Sequence, residues 1–232
     1  MTKRLQTLGV VLAVIGLGFL AGAGVAFAKV QAGYASLHAL SAAQNVELTY
    51  NADGQLADDT GSTKEAVAIM SLLQDDWKYP VVKSDLNPND PVVNTASEYM
   101  YQMATITYHT ITRPQTVVLP EDVTADNGKV FKAGSYDFNP NGKYWTGYDR
   151  SNPIEAIARD QAWSGTAHGL IAELGVGTVT HSALQLGLAL AGILAGLGLT
   201  IILAGLGLVW VGRAPAQTMA PIAERTAEPV LV

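Results

Sequence analysis

Two long runs of apolar residues lie near the two ends of the chain. The first covers residues 5–28 and the second covers residues 182–211, and neither contains a charged side chain. A helix of about 20 consecutive apolar residues crosses the roughly 30 Å hydrocarbon core of a bilayer. The pattern therefore predicts two transmembrane helices, with residues 29–181 forming a domain between them.

Basic side chains flank these runs on the sides nearest the chain ends: Lys3, Arg4, Arg213 and Arg225. Basic residues next to membrane spans are retained on the cytoplasmic side. Residues 1–4 and the tail, residues 212–232, are therefore predicted to be cytoplasmic. The domain between the spans is then extracytoplasmic, and the predicted location is the plasma membrane.

The end of the first run permits a second interpretation. It closes on Ala26-Phe27-Ala28 after a basic N-terminus, which is typical of a cleaved signal peptide. However, the run is longer than the roughly 7–15 apolar residues of a signal sequence. An uncleaved first span is the interpretation that we carry forward.

Both runs contain glycines four residues apart: Gly18 and Gly22 in the first, Gly192 and Gly196 in the second. This spacing places small residues on one helix face, where the backbone of another membrane helix can approach closely. The alternative is that glycine is simply common in membrane helices. These four glycines are candidate partner-binding residues.

The domain between the runs begins with a helical pattern that continues the first span to about residue 44. Residues 46–50 predict a short strand followed by a turn. The sequence Ser62-Thr63-Lys64-Glu65 predicts a helix that starts with a capping box. That helix is expected to bury four side chains: Val67, Met70, Leu73 and Trp77.

Helix start signals recur in the second half of the domain. Asp90-Pro91 predicts a helix that ends near Thr112 and forms the central packing element. Asn152-Pro153 predicts a last helix to about Leu174, followed by a bend at Gly175 and Gly177.

Between these two helices, residues 116–138 carry β-rich runs around Asn127-Gly128, the strongest short signal for a hairpin. We expect two or three antiparallel strands here. The predicted fold class is membrane α+β: two transmembrane helices flanking a mainly helical extracytoplasmic domain with a small antiparallel β insertion.

Composition narrows the chemistry. The net charge is −6 at pH 7, with acidic residues concentrated between the two runs, and this argues against nucleic acid as a partner. The chain has no cysteine, which excludes disulfides, thiolate metal sites and iron–sulfur clusters. Motifs for nucleotide binding and serine hydrolysis are missing. We therefore predict no cofactor, no catalytic residues and no enzymatic activity.

Two small groups of residues carry the remaining candidate chemistry. His109 and His168 fall on two helices expected to pack together, so they are candidate metal ligands, with hydrogen-bonded packing histidines as the alternative. The loop GKYWTGYDRSNP holds the second group: Tyr144, Trp145, Tyr148 and Arg150. Exposed aromatic residues with arginine are typical of protein contacts. The alternative is a loop that folds back to cap the sheet.

Three stretches, DDWKYPVV at residues 75–82, NTASEYMYQMATITYHT at 94–110 and QAWSGTAHGLIAELGVGTVT at 161–180, resemble a family of two-span actinobacterial membrane proteins of unassigned function. Some members carry the label of aromatic ring-opening dioxygenase. Such dioxygenases hold iron with a His/carboxylate set, and no such motif is found in this sequence. The resemblance implies a two-span membrane protein and supplies no catalytic residues.

These observations predict a non-catalytic accessory subunit of a membrane protein complex. By analogy, the best candidate is the actinobacterial cytochrome bc–oxidase respiratory supercomplex, so the expected partners are other membrane subunits and the lipid bilayer. The alternative is a stand-alone extracytoplasmic ligand-binding or cell-envelope protein. Its site would be the loop at residues 144–150 or the region of His109 and His168.

Overall fold

The computed structural model describes residues 2–213 of the chain, so Arg225 and most of the predicted cytoplasmic tail, residues 212–232, lie outside the described residues. The described part is mainly helical. Its α-helices are α1 (Thr2–Gln44), α2 (Lys64–Ser71), α3 (Ala96–Thr112), α4 (Pro153–Ala162) and α5 (Gly165–Val211). Its strands are β1 (Gln115–Leu119), β2 (Val123–Thr124), β3 (Val130–Phe131) and β4 (Gly134–Phe138).

The described residues divide into two compact units. The helix-pair unit contains residues 2–27, which belong to α1, and residues 189–213, which include the end of α5. The middle unit contains Ala28–Leu188, and thus the remaining parts of α1 and α5, the other helices and all four strands. The expected helical continuation of the first run to residue 44 is confirmed, because α1 ends at Gln44.

The helix-pair unit is held together by small residues that recur every seven positions. On α1 these are Gly9, Gly16 and Ala23, and on α5 they are Ala191, Gly198 and Gly205; we call them the glycine seam. A Cβ added to Gly16 would lie 2.6 Å from the carbonyl oxygen of Gly198, so the two backbones touch. Gly9 contacts Gly205 in the same way, which makes the helices antiparallel.

Both long helices are long and apolar enough to cross a membrane. In each helix, the most apolar stretch has a mean hydropathy of 2.4, yet only 11% of it is buried. The core helix of a water-soluble protein would be mostly buried, so these exposed apolar surfaces agree with the predicted spans.

Helix α3 is the central element of the middle unit, since it contributes nine buried residues. Its start differs from the prediction, which placed it at Asp90-Pro91. Pro91 and Val93 make backbone hydrogen bonds with Leu48 and Val46 of an extended segment, and this pairing keeps Pro91 and Val93 out of the helix. The helix begins five residues after Pro91, at Ala96, where Thr95 and Glu98 form a capping box that was not predicted. The extended segment makes only isolated bridges, so the strand predicted at residues 46–50 is wrong.

The capping box predicted at Ser62 and Glu65 does not form. The cap of α2 is Thr63, whose side chain makes no capping hydrogen bond, and Glu65 turns instead toward His109 on α3. The predicted buried face is also partly wrong, because Val67 is 64% exposed while Leu73 is fully buried. After Ser71 the helix widens into a π-turn over Leu72–Asp76.

The β insertion is confirmed as small and antiparallel. Strand β1 pairs with β4 from Gln115 opposite Phe138 to Leu119 opposite Gly134, and β2 pairs separately with β3. Gly128, with a φ of +80°, lies in the turn between β2 and β3, where the Asn-Gly signal predicted a hairpin. The strands thus form two separate pairs rather than one sheet.

The last predicted helix is split at a different place. Asn152 caps α4 as expected, accepting from the backbone N–H groups of Ile154 and Glu155. The helix ends at Ala162, and α5 then runs without interruption from Gly165 to Val211. The bend predicted at Gly175 and Gly177 is therefore wrong. At Gly177 a Cβ would lie 2.8 Å from the Tyr99 ring, so this glycine permits close packing.

Candidate functional site

The four glycines predicted to bind a partner do not belong to the glycine seam. A Cβ added to Gly18, Gly22, Gly192 or Gly196 would meet nothing within 4 Å. Gly18 and Gly22 line a shallow apolar groove with Ile15, Phe19 and Leu194, which we call the glycine groove. The four-residue spacing thus identified open positions on the helix surface, whereas the contact between α1 and α5 follows a seven-residue spacing that the sequence reading missed.

Most of the aromatic loop folds back onto the middle unit, in agreement with the alternative interpretation. Tyr148 is buried and stacks on Phe138 of β4, with ring centroids 5.8 Å apart. The carboxylate of Glu155 fixes the loop, because it accepts from the Lys143 ammonium and from the Asp149 backbone N–H at 2.9 Å.

Trp145 and Tyr144 sit in a cluster with residues of α4 and α5. The guanidinium of Arg159 lies 4.2 Å from the centroid of the Trp145 ring, and the His168 ring packs edge-on against the same indole at 5.1 Å. Trp77 donates its indole N–H to the Tyr144 hydroxyl at 3.0 Å. Tyr144 remains 43% exposed and Arg150 is also exposed, so these two keep a surface on which a partner can bind.

The structure does not bring His109 and His168 together. His109 pairs with Glu65, while His168 packs against the rings of Trp145 and Trp163. Across residues 2–213, no group of three or more His, Asp or Glu side chains is placed to hold a metal ion. The two histidines therefore do not form the metal site that the sequence suggested as a possibility.

One half-open depression in the middle unit has a chemically distinctive lining, and we call it the acidic cavity. It has a volume of about 240 Å³ and lies between residues 47–49, the turn at 57–59, α2 and α3. Its charged and polar side chains include Glu47, Asp58, Asp59, Glu65, Tyr101, His109 and Arg113. Its apolar floor is formed by Leu48, Ala66 and Ile69, all of them buried.

The wall formed by α3 follows from helix geometry. Tyr101, Thr105 and His109 are spaced four residues apart, which places them on one face of the helix, and Arg113 follows directly after its end. The Thr105 hydroxyl is already occupied, because it donates to the Tyr101 carbonyl one turn earlier at 2.9 Å. This spacing is visible in the sequence, but nothing local indicates that the face lines a cavity.

The basic groups of the cavity are already paired. Glu65 contacts His109 Nε2, and the Arg113 guanidinium lies 3.9 Å from the same carboxylate oxygen. The Arg113 guanidinium also lies 3.1 Å from the same Nε2 of His109, so the three side chains form one connected group. Glu65 thus neutralises the positive charge that the cavity offers.

The remaining polar groups of the cavity are unpaired or only partly paired. Asp58 Oδ1 accepts from Thr60 and Ser62, and these hydrogen bonds lower the pKa of the Asp58 carboxyl, which is therefore ionised at neutral pH. Its Oδ2 accepts no hydrogen bond from residues 2–213. Burial, together with the nearby Glu65 carboxylate, raises the pKa of the Tyr101 hydroxyl, which stays protonated and able to donate.

No protein-family model, no curated protein and no solved structure matches this chain. The assignment of function consequently depends on the glycine groove, the aromatic loop and the acidic cavity themselves.

Proposed function

We propose that this chain is a non-catalytic accessory subunit of a larger membrane protein complex, anchored in the plasma membrane by α1 and α5. The observation that carries the proposal is the division of its glycines into two sets. One set forms the seam between α1 and α5, while Gly18 and Gly22 stand open in the glycine groove.

Membrane anchoring is supported by the outer surface of the helix-pair unit. Large apolar side chains are exposed along both helices, for example Val14 at 63% and Ile193 at 60%. Apolar surface in water is unfavourable by roughly 25 cal/mol per Å², and contiguous exposed apolar surface is typical of membrane or protein contact. A bilayer removes this penalty.

The glycine groove supports a protein partner within that bilayer. Membrane helices associate through close van der Waals packing, because lipid chains are as apolar as leucine side chains. Small residues at Gly18 and Gly22 let the backbone of a third helix approach α1 in the way that Gly16 approaches Gly198. The proposed occupant of the groove is therefore a transmembrane helix of a partner subunit.

The actinobacterial cytochrome bc–oxidase supercomplex is the first complex to test, on the strength of the sequence resemblance. The acidic middle unit fits this assignment if it faces outward, with both termini in the cytoplasm. A negatively charged surface there would raise the local concentration of a basic electron carrier.

The test is affinity purification of the tagged full-length protein from its native membrane in mild detergent, followed by mass spectrometry. We expect stoichiometric recovery of respiratory subunits with the wild type. The double variant Gly18→Leu/Gly22→Leu should lose them, because the added side chains fill the groove.

Gly24→Leu is the matched control. Gly24 also has nothing within 4 Å of an added Cβ, but it is not part of the groove. It should retain the partner, and a parallel Gly192→Leu/Gly196→Leu variant reports whether the open face of α5 contributes as well. Recovery of the wild-type protein alone would overturn the proposal. If Gly18→Leu/Gly22→Leu and Gly24→Leu recover the same amount of partner subunits, the glycine groove is excluded as the binding surface.

A further inference from the structure

We propose that His181 makes the contact between α1 and α5 within the middle unit sensitive to pH. The two helices stay together while the imidazole is neutral, and they separate at this level when it takes up a proton. This inference does not depend on the accessory-subunit proposal, because every residue that carries it belongs to the middle unit. His181 directly precedes the predicted second span, residues 182–211, and lies outside it.

The His181 ring is enclosed by close contacts of α5 with two other helices. The residue is 6% exposed, and its ring packs edge-on against Tyr34 of α1 with the ring centroids 5.6 Å apart. One turn before it, a Cβ added to Gly177 would lie 2.8 Å from the Tyr99 ring of α3. A closely packed interior leaves a side chain little room to turn, so His181 reaches water only if the helices separate.

The surroundings of the ring do not accommodate a proton on both nitrogens. His181 Nδ1 is buried and has no hydrogen-bond partner within residues 2–213. Buried hydroxyls around this contact are already used: Thr178 donates to the Leu174 carbonyl at 3.0 Å, and the Ser41 and Tyr99 hydroxyls bond to each other at 2.7 Å. An imidazolium has an N–H at both ring positions. Protonation would therefore leave a buried, charged donor without an acceptor, which is unfavourable.

The net effect of the groups around His181 is to keep it neutral. Burial lowers the pKa of the His181 imidazole below its ordinary value of 6.5, while Asp85 opposes this shift and His38 of α1 adds to it. Tyr34 contributes no charge, since burial raises the pKa of its hydroxyl above 10.0. The ring is consequently neutral at neutral pH, and a proton is bound more tightly where the ring meets water.

Acidification then favours separation of the helices. With α1 and α5 in contact, His181 resists protonation, whereas in a separated form its solvated ring takes up a proton near pH 6.5. The contact is therefore most stable above pH 6.5 and loses stability as the pH falls below that value. A ligand, here the proton, shifts a conformational equilibrium by as much as its affinities for the two forms differ.

The test is the distance between two spin labels on the full-length protein in mild detergent. The chain has no cysteine, so the exposed positions Ala35 of α1 and Val179 of α5 can each be replaced by cysteine and labelled specifically. Double electron–electron resonance measures the distance between the labels. We expect one distance at about pH 8 and an additional, longer distance at about pH 5, on either side of the ordinary histidine pKa.

Two variants identify the group that titrates. His181→Gln cannot be protonated, so the doubly labelled variant should show the same distance at both pH values. His38→Gln is the matched control, because His38 is exposed and lies near the same Tyr34 ring, with centroids 5.9 Å apart. It should keep the response of the wild type. The proposal is overturned if the wild-type distance does not change with pH, if His181→Gln responds like the wild type, or if His38→Gln abolishes the response.

A second measurement covers the case in which glutamine does not fit at this position. His181→Asn is a smaller neutral variant, and thermal unfolding of the unlabelled proteins compares it with the wild type. The unfolding temperature of the wild type relative to His181→Asn should fall as the pH is lowered below 6.5. A difference that is constant, or that grows in favour of the wild type at acidic pH, would overturn the proposal.

Discussion

The helix-pair unit and the middle unit bury opposite kinds of residue. The centre of the helix-pair unit is glycine and alanine, and its exterior is leucine, isoleucine and valine. The centre of the middle unit contains large side chains such as Leu73, Tyr99 and Trp163, and its exterior carries most of the charge. One chain thus uses two packing strategies.

The difference teaches which force holds each unit together. In water, burial of large apolar side chains is itself the driving force, so a core gains from every added methylene that fits. In a bilayer that driving force is lost between helices, and close backbone approach gives the best packing. The two interiors are those expected for a water-facing unit and a proposed membrane unit.

The largest predicted effect is the loss of stability when a core side chain of the middle unit is truncated. Leu73 is fully buried, and we predict that Leu73→Ala destabilises the protein by about 2–5 kcal/mol through lost transfer energy and an unfilled cavity. Thermal unfolding of the full-length protein in mild detergent measures this effect. Val67→Ala, at a 64% exposed position on α2, should change stability by less than about 0.5 kcal/mol. Equal losses in the two variants would contradict the assignment of this core.

The second largest predicted effect is the loss of stability when a glycine of the glycine seam is replaced by a larger residue. Gly16→Leu places a side chain where even a Cβ would lie 2.6 Å from the Gly198 carbonyl oxygen and from Ile202. The helices must separate, at a cost of about 1–3 kcal/mol on the scale of other overpacked sites. The same unfolding measurement applies, with Gly24→Leu as the control because its Cβ meets open space. If Gly16→Leu and Gly24→Leu unfold at the same temperature, the glycine seam is not the contact between α1 and α5.

The smallest predicted effect concerns a buried charge in the middle unit. Burial raises the pKa of Glu98 above its ordinary value of 4.5, although hydrogen bonds from Asn94 and Thr95 oppose the shift. The folded protein therefore binds this proton more tightly than the unfolded chain does. The stabilisation from Glu98 is complete below pH 4.5 and is lost as the pH rises through the raised pKa.

Glu98→Gln removes this titration while keeping an oxygen that accepts from the backbone N–H groups of Asn94 and Thr95. We predict that the stability of the wild type relative to Glu98→Gln declines as the pH rises from 4.5 toward neutrality. Unfolding temperatures of both proteins across that range give the difference, from which other titrating groups cancel. A difference that is constant or rises with pH would contradict the prediction.

Much of the secondary structure was predictable because its signals are local. The cap at Asn152 and the hairpin turn at Gly128 each depend on a few neighbouring residues, and both are found. The end of α3 at Thr112 is also local, since Pro114 follows closely.

The errors arise where distant residues compete with a local signal. Glu65 had a local use as a capping residue, but His109 on α3 offers a side-chain hydrogen-bond partner. Likewise, Asp90-Pro91 resembles a helix start, yet Val46 and Leu48 pair with the backbone that follows it. In both cases the partner lies more than 40 residues away, and sequence order does not show that it is near.

The candidate sites divide in the same way. The four-residue spacing in the sequence pointed to the open glycines Gly18 and Gly22, whereas the seven-residue spacing that includes Gly16 and Gly198 was recognised only from their contact. Among the residues that line the acidic cavity, the sequence pointed to His109 as a candidate. It did not point to Glu65, Tyr101 or Asp59, which come from three separate segments of the chain. A cavity is a property of how segments meet, so its lining is invisible until they are assembled.

By itself the sequence determined two apolar helices, a mainly helical acidic middle with a β insertion, and chemistry without cysteine. Those properties follow from composition and from periodicities shorter than ten residues. Only the tertiary structure decided which glycines touch, which face of α2 is buried, and that an acidic cavity lies between α2 and α3. The physical reason is that side-chain burial and pairing depend on residues distant in sequence, whose proximity the fold alone creates.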